Sequence, residues 1–171
     1  MPEGKRLYID YGKCIGCETC EAVCRLLHGL PRINMTRTID GVMMPLYCRH
    51  CERPACVKAC PRRALAKAVD GAVLLQPLVC EGCETKDCIE ACPFGGVFMR
   101  DMKSAVVKCD MCADRRAIGL GPACVEMCPT EALVYIERDE IKKLKTEESV
   151  AAEKKVFDHL RPRIQSMPGK D

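Results

Sequence analysis

Apolar positions along the chain fall mostly into short alternating runs rather than long helical stripes. Residues 7–10 and 133–137 read as strands that bracket one region of the chain. Inside that region, runs at 36–39 and 42–45 flank Asp40-Gly41, and runs at 64–69 and 72–76 flank Asp70-Gly71. Runs at 97–100 and 105–108 flank a turn near 101–103, so three hairpins are expected. Short helices are predicted to start near Glu18, Ala55, Asp87 and Ala123. From about Arg138 the character changes to charged residues with one apolar stripe, Ile141, Leu144, Val156, Phe157, Leu160 and Ile164, interrupted near 146–149. Such a stripe packs on its own domain or docks against another subunit. No run approaches the roughly 20 apolar residues that a membrane span needs.

Composition changes this picture. The 171 residues include no tryptophan, four tyrosines and three phenylalanines, too few for a conventional aromatic core, but sixteen cysteines. The cysteines form four groups: Cys14, Cys17, Cys20, Cys24; Cys48, Cys51, Cys56, Cys60; Cys80, Cys83, Cys88, Cys92; and Cys109, Cys112, Cys124, Cys128. The first is C-x2-C-x2-C-x3-C, the spacing with which bacterial ferredoxins hold [4Fe–4S] clusters. The second and third share C-x2-C-x4-C-x3-C followed by Pro61 or Pro93, and their cysteines recur at a constant offset of 32 residues. The fourth is C-x2-C-x11-C-x3-C followed by Pro129.

A C-x2-C turn brings two soft thiolates together and leaves backbone N–H groups aimed at the cluster, where they offset its negative charge. The cysteine three residues further on opens a helix that turns away, so it serves the cluster of a partner group. A disulfide scaffold would require secretion, yet Met-Pro-Glu-Gly-Lys-Arg opens the chain with neither an apolar leader nor a twin-arginine pattern. A cytoplasmic protein is therefore expected. Four structural zinc sites would consume the same thiolates, but three cysteines within seven residues suit a cubane better. Radical S-adenosylmethionine enzymes use C-x3-C-x2-C, which no group has. Four [4Fe–4S] clusters are the expectation, acting as the core, with an apo chain that is mostly unfolded.

The formal charge of +3 becomes roughly −5 if each oxidised cluster with its thiolates carries about −2, which removes the support for nucleic-acid binding. Arg49, Arg53, Lys58, Arg62 and Arg63 are read as balancing cluster charge, with a docking patch as the alternative. His28, His50 and His159 are scattered. His50, between cluster ligands, is read as solvated or bonded to sulfur, with tuning of a potential as the alternative. Tyr11 and Tyr47 are read as packing residues. No catalytic constellation is evident, so the protein is expected not to be an enzyme by itself.

The four groups, with Cys-Ile-Gly-Cys-Glu-Thr-Cys-Glu-Ala-Val-Cys at 14–24 and Lys-Cys-Asp-Met-Cys-Ala-Asp-Arg at 108–115, resemble the four-cluster electron-transfer subunits of the dimethyl sulfoxide reductase iron–sulfur family. Similar subunits accompany formate dehydrogenases, hydrogenases, carbon monoxide dehydrogenases and tungsten aldehyde oxidoreductases. The resemblance spans about 7–137 and implies nested pairing of the groups, first with fourth and second with third. Cluster 1 would then be held by Cys14, Cys17, Cys20 and Cys128, and cluster 2 by Cys24, Cys109, Cys112 and Cys124. Cluster 3 would be held by Cys48, Cys51, Cys56 and Cys92, and cluster 4 by Cys60, Cys80, Cys83 and Cys88. The internal repeat and the bracketing strands favour the same nesting. Arg25, rather than proline, follows Cys24, and the membrane helix that follows this region in some relatives is not expected here.

The expected fold is α+β: two nested bacterial-ferredoxin-like units of βαββαβ type plus a C-terminal helical extension. Residues 1–45 and 105–137 would form the discontinuous outer unit, 46–104 the inserted unit and 138–171 the tail. The resemblance implies an electron-transfer subunit bound to a molybdenum or tungsten oxidoreductase, first the tungsten aldehyde oxidoreductase type and next the formate dehydrogenase type. A flavin- or NAD-linked subunit or a ferredoxin would be a further partner, and copies could stack head-to-tail into a filament. The alternatives are an independent polyferredoxin, or a subunit of a hydrogenase or carbon monoxide dehydrogenase.

Overall fold

The structure, a computed structural model, describes residues 4–38, 40–100 and 103–165, the side chains of 159–165 excepted. Its strands form two-stranded antiparallel sheets. β1 (Arg6–Ile9) pairs with β8 (Leu133–Ile136), in register from Arg6↔Ile136 to Ile9↔Leu133. The other pairs are hairpins: β2 (Asn34–Arg37) with β3 (Met43–Leu46), β4 (Leu65–Lys67) with β5 (Val73–Leu75), and β6 (Val97–Phe98) with β7 (Val107–Lys108).

The hairpins lie where alternation and Asp-Gly turns put them. Gly41 and Gly71 take φ of 82° and 78°, the left-handed region that glycine enters without steric cost. The first hairpin pairs residues nearer the N-terminus than expected, Asn34 with Leu46 and Arg37 with Met43. Thr38 N–H bonds the Val42 carbonyl, so Met35↔Pro45 falls at a position where neither residue bonds across the sheet. A proline costs nothing there, and its carbonyl accepts the Tyr11 hydroxyl on the outer edge at 2.9 Å. Of the third turn, Asp101 and Met102 lie outside the described residues.

Helix α1 (Thr19–His28) ends on Gly29 at φ 70°, a left-handed C-terminal stop. Cys20 and Cys24, four residues apart, share its buried face, and an exposed Glu21–Arg25 pair lies beside them. The remaining helices of the cysteine region are short: α2 (Ala55–Lys58), α3 (Pro77–Cys80), α4 (Asp87–Glu90), α5 (Ala113–Ala117) and α6 (Ala123–Glu126). Pro54 and Pro122 sit in extended conformation just before α2 and α6 in a recurring Pro-Ala-Cys-Val, which halts the chain and then turns a cysteine inward. Helices α3 and α5 carry no apolar period and were not foreseen.

Two hydrophobic cores result, and cysteines belong to both. One gathers Leu7, Ile9, Tyr11, Ile33, Leu46, Tyr47 and Leu133 around Cys20, Cys24 and Cys124. The other gathers Ala64, Leu65, Val73, Val97 and Val106 around Cys56, Cys80, Cys88 and Cys92.

The charged C-terminal segment forms α7 (Arg138–Leu144) and α8 (Glu147–Gln165), broken where the stripe is interrupted. Val156 is fully buried in the first core, and the Ser149 hydroxyl bonds Tyr8 Oη at 2.8 Å. Phe157 meets Phe94 edge-on at 5.4 Å. The segment thus packs on its own chain, although Leu144 stays exposed. Leu160, Ile164 and His159 fall among the side chains that are not described.

Candidate metal centres

The sixteen thiols gather into four sets, each drawing cysteines from two of the sequence groups. Cys14, Cys17, Cys20 and Cys128 line one pocket with Ile15, Met35 and Thr130. Gly16 at φ 69° and Glu18 at φ 62° curl the chain between these ligands. Cys24, Cys109, Cys112 and Cys124 line a second pocket with His28, Arg32, Ile33 and Met111. Because α1 carries both Cys20 and Cys24 on one face, a single helix supplies both pockets.

In the third set, Cys51 and Cys56 each feel the charges of Cys48 and Cys92. In the fourth, Cys88 feels Cys60, Cys80 and Cys83. Between sets, Cys124 also feels Cys20, Cys109 feels Cys48, and Cys88 feels Cys56. The four sets therefore neighbour one another in the order first, second, third, fourth, Cys20 and Cys124 sharing one core and Cys56 and Cys88 the other.

Backbone N–H groups point at the sulfurs. Arg32 donates to Cys24 Sγ at 3.2 Å, Met111 to Cys109 at 3.3 Å and His50 to Cys48 at 3.4 Å. Ala64 donates to Cys60 at 3.3 Å, Gly96 to Cys92 at 3.3 Å and Val106 to Cys80 at 3.5 Å. Threonine hydroxyls two residues on approach three more sulfurs: Thr19 to Cys17 at 3.3 Å, Thr85 to Cys83 at 3.9 Å and Thr130 to Cys128 at 3.7 Å. The sequence reading missed these threonines, although the repeated Gly-Cys-Glu-Thr at 16–19 and 82–85 signals two of them.

The donor set fits an iron–sulfur cubane. Burial, and then the neighbouring thiols, push Cys20 and Cys88 up to about 12 and Cys56 up to about 11. Burial, followed by Cys48, pushes Cys109 up to about 12 as well. In the second set burial raises all four thiols, Cys24, Cys109, Cys112 and Cys124, and four such groups ionise together only around strong positive charge, which iron supplies. Among the described residues no three His, Cys, Asp or Glu side chains are grouped as donors to one metal ion.

The cations beside the second cysteine group divide in two. Arg53, Lys58, Arg62 and Arg63 are exposed, as long charged side chains near one-turn surface helices keep their heads in water. Arg49 instead stacks over Tyr47, Phe94 and Phe157 and pairs with Glu153 at 2.5 Å. Among the described residues the buried lysines and arginines are Arg6, Lys86 and Lys108. Tyr11 and Tyr47 are core residues, and burial pushes Tyr47 up to about 12. His28 Nε2 lies 3.5 Å from Cys112 Sγ, and burial with Arg32 nearby lowers its pKa. His50 is buried rather than solvated; burial, then Lys108, Arg6 and Arg116, hold its pKa well below the usual histidine value. Among the described residues no helix is long and apolar enough to cross a membrane.

Known proteins give the same reading. The family model for the 4Fe-4S dicluster domain matches residues 39–138, and that for a 4Fe-4S binding domain matches 7–25. The B subunit of the anaerobic dimethyl sulfoxide reductase of Escherichia coli (strain K12) is 34% identical over 155 residues, covering 80% of this chain and 75% of the relative. An iron-sulfur protein of Rhodospirillum rubrum is 32% identical over 165 residues, covering 81% and 85%. The electron transport protein HydN of Escherichia coli (strain K12) is 32% identical over 163 residues, covering 81% and 91%. With four sets of gathered thiols and this likeness along most of its length, the chain belongs to the dimethyl sulfoxide reductase iron–sulfur subunit family, as an electron-transfer protein with four [4Fe–4S] clusters.

Proposed function

We propose that this chain is the cytoplasmic, non-catalytic electron relay of a molybdenum or tungsten oxidoreductase, first of the tungsten aldehyde oxidoreductase type and next of the formate dehydrogenase type. The observation that carries the relay is the order of neighbouring thiol sets, in which Cys20 neighbours Cys124, Cys109 neighbours Cys48, and Cys56 neighbours Cys88. Each cluster, when bound, takes up and returns one electron. The ligand sets are Cys14, Cys17, Cys20, Cys128; Cys24, Cys109, Cys112, Cys124; Cys48, Cys51, Cys56, Cys92; and Cys60, Cys80, Cys83, Cys88. The shared pockets and mutual thiol charges support this assignment. Two nested units, 1–45 with 105–137 and 46–104, followed by a tail at 138–171, are supported by the β1–β8 pairing, while Leu46 and Tyr47 pack in the first core and Val106 in the second, across the expected boundaries. Exposed Cys17 and Ile15 make the first set the point nearest solvent, suited to exchange with a partner.

Anaerobic pull-down of the native protein with metal analysis tests the partner. A large subunit containing molybdenum or tungsten, beside about sixteen irons per chain, is the expected result. Iron alone with no fixed partner would make the chain an independent polyferredoxin. The ligand sets are tested by Cys128→Ser, which should remove the cluster shared with Cys14 and spare the one shared with Cys124.

A further inference from the structure

Two buried polar side chains at the seam between the cores have no role in the ligand sets. Lys108, at the end of β7, is 4% exposed. Its Nζ donates to the carbonyls of Val73 on β5 and of Cys109, the latter at 2.7 Å. No carboxylate pairs with it among the described residues. His50 is 2% exposed, and its Nδ1 accepts the Val73 N–H at 2.9 Å. The neutral ring therefore carries its proton on Nε2. That nitrogen is buried and has no hydrogen-bond partner. Both backbone groups of Val73, itself fully buried, are thus held by side chains at the seam.

A cation taken out of water with only carbonyls around it needs an opposite charge, and a buried N–H needs an acceptor. The two central clusters, when bound, would supply the opposite charge; the Nε2–H reaches no cysteine sulfur, so a cluster sulfide is the acceptor left to it. The Lys108 charge reaches Cys109 on one side and Cys56 on the other, and Cys48 and Cys109 are the thiols through which the two central sets meet. An ammonium between two anionic clusters stabilises the extra electron on either one, and a donor hydrogen bond toward sulfur acts in the same direction.

We propose that Lys108 and His50 are positioning residues for electron transfer across the seam: the fixed charge and the Nε2–H donor raise the reduction potentials of the two clusters that face each other there. The proposal rests on the ligand assignment above. The crossing moves one electron from one central cluster to the other and no proton.

Potentials in the holoprotein, followed by electron paramagnetic resonance during redox titration, test it. Lys108→Gln keeps N–H donors for the two carbonyls but removes the charge. His50→Asn keeps an acceptor for the Val73 N–H, suits the left-handed backbone at φ 46° and lacks the Nε2–H. In Lys108→Gln, two of the four reduction equilibria should fall about tenfold, equivalent to about 59 mV for a one-electron couple, and the other two should stay. In His50→Asn, one of the same two should fall. Unmoved central potentials in fully loaded Lys108→Gln, or an equal shift of all four, overturn the role of the charge; an unmoved set in His50→Asn overturns that of the donor. If Lys108→Gln fails to load, restoration of loading by Lys108→Arg supports the charge, and failure of both makes Lys108 a packing residue and overturns it. Cys48→Ser and Cys109→Ser identify the central signals independently. Loss of other signals in those two variants sinks the ligand assignment, whereas unmoved central potentials sink the present proposal alone.

Discussion

Replacing Arg49 by methionine should loosen the C-terminal helix without emptying a ligand set. The guanidinium lies 5.5, 4.8 and 4.9 Å from the ring centres of Tyr47, Phe94 and Phe157, joining the residue beside Cys48, the loop after Cys92 and helix α8. It also pairs with Glu153 at 2.5 Å, with side chains 19% and 14% exposed. Stacking on these rings, Tyr47 buried and Phe94 and Phe157 half-buried, contributes about 0.5–1 kcal/mol per contact. Breaking a fully buried ion pair costs about 3–5 kcal/mol. Residual exposure reduces that figure, and so does Lys145, whose Nζ remains 3.9 Å from Glu153. Methionine preserves the apolar stem. A net loss of about 2–3 kcal/mol follows, felt at α8, where Val156 and Phe157 are otherwise the apolar anchors. Since every 1.4 kcal/mol is tenfold, amides of 147–165 should exchange about 30- to 150-fold faster. Hydrogen exchange read by mass spectrometry on the iron-loaded protein measures this directly. Arg49→Lys, which keeps the charge but not the planar stack, should fall between. Exchange in α8 within threefold of wild type, in a sample retaining its iron, would refute the reasoning.

Gly96→Ala should prevent loading of the set containing Cys48, because a Cβ there would lie 2.6 Å from the Cys48 Cα and 2.8 Å from the Tyr47 carbonyl; at least about 3 kcal/mol of overpacking is expected, and a normal iron content would contradict it. Asp70 accepts the Ala72 N–H at 2.9 Å and pairs with Arg116. Partial burial opposes ionisation there, but Arg116 and the Ala72 N–H outweigh it and hold the carboxyl below its ordinary value of 3.8. A depressed folded pKa stabilises above the unfolded pKa and is lost as pH falls through the folded one. The stability gap between wild type and Asp70→Asn, followed as the rate of cluster loss, should therefore be full at neutral pH and close in acid; a constant gap would count against the pair. Chelation of iron under oxidising conditions should abolish native circular dichroism, since the cysteines are part of both cores, and a native-like apo spectrum would show that the polypeptide folds unaided.

Much of this protein was legible in its sequence because its instructions are short-range. A C-x2-C turn, an Asp-Gly hairpin and a proline ahead of a helical cysteine each act within a few residues, so the cluster type, the hairpins and the helix starts near Glu18, Ala55, Asp87 and Ala123 could be read directly. The α8 stripe was legible in part: Val156 and Phe157 pack, while Leu144 does not, because a periodic pattern names a face without saying what covers it. Arg49 was read as charge balance, and the structure makes it the joint between three segments, since a cation's role depends on the rings and carboxylates brought to it from residues 94, 153 and 157. Lys108 stood in the sequence only as part of the 108–115 motif, and His50 was read as solvated or bonded to sulfur, with tuning of a potential as the alternative. Only tertiary packing buried them against Val73, because burial of charge and proximity of thiols from distant groups are set by long-range contacts that no local spacing contains.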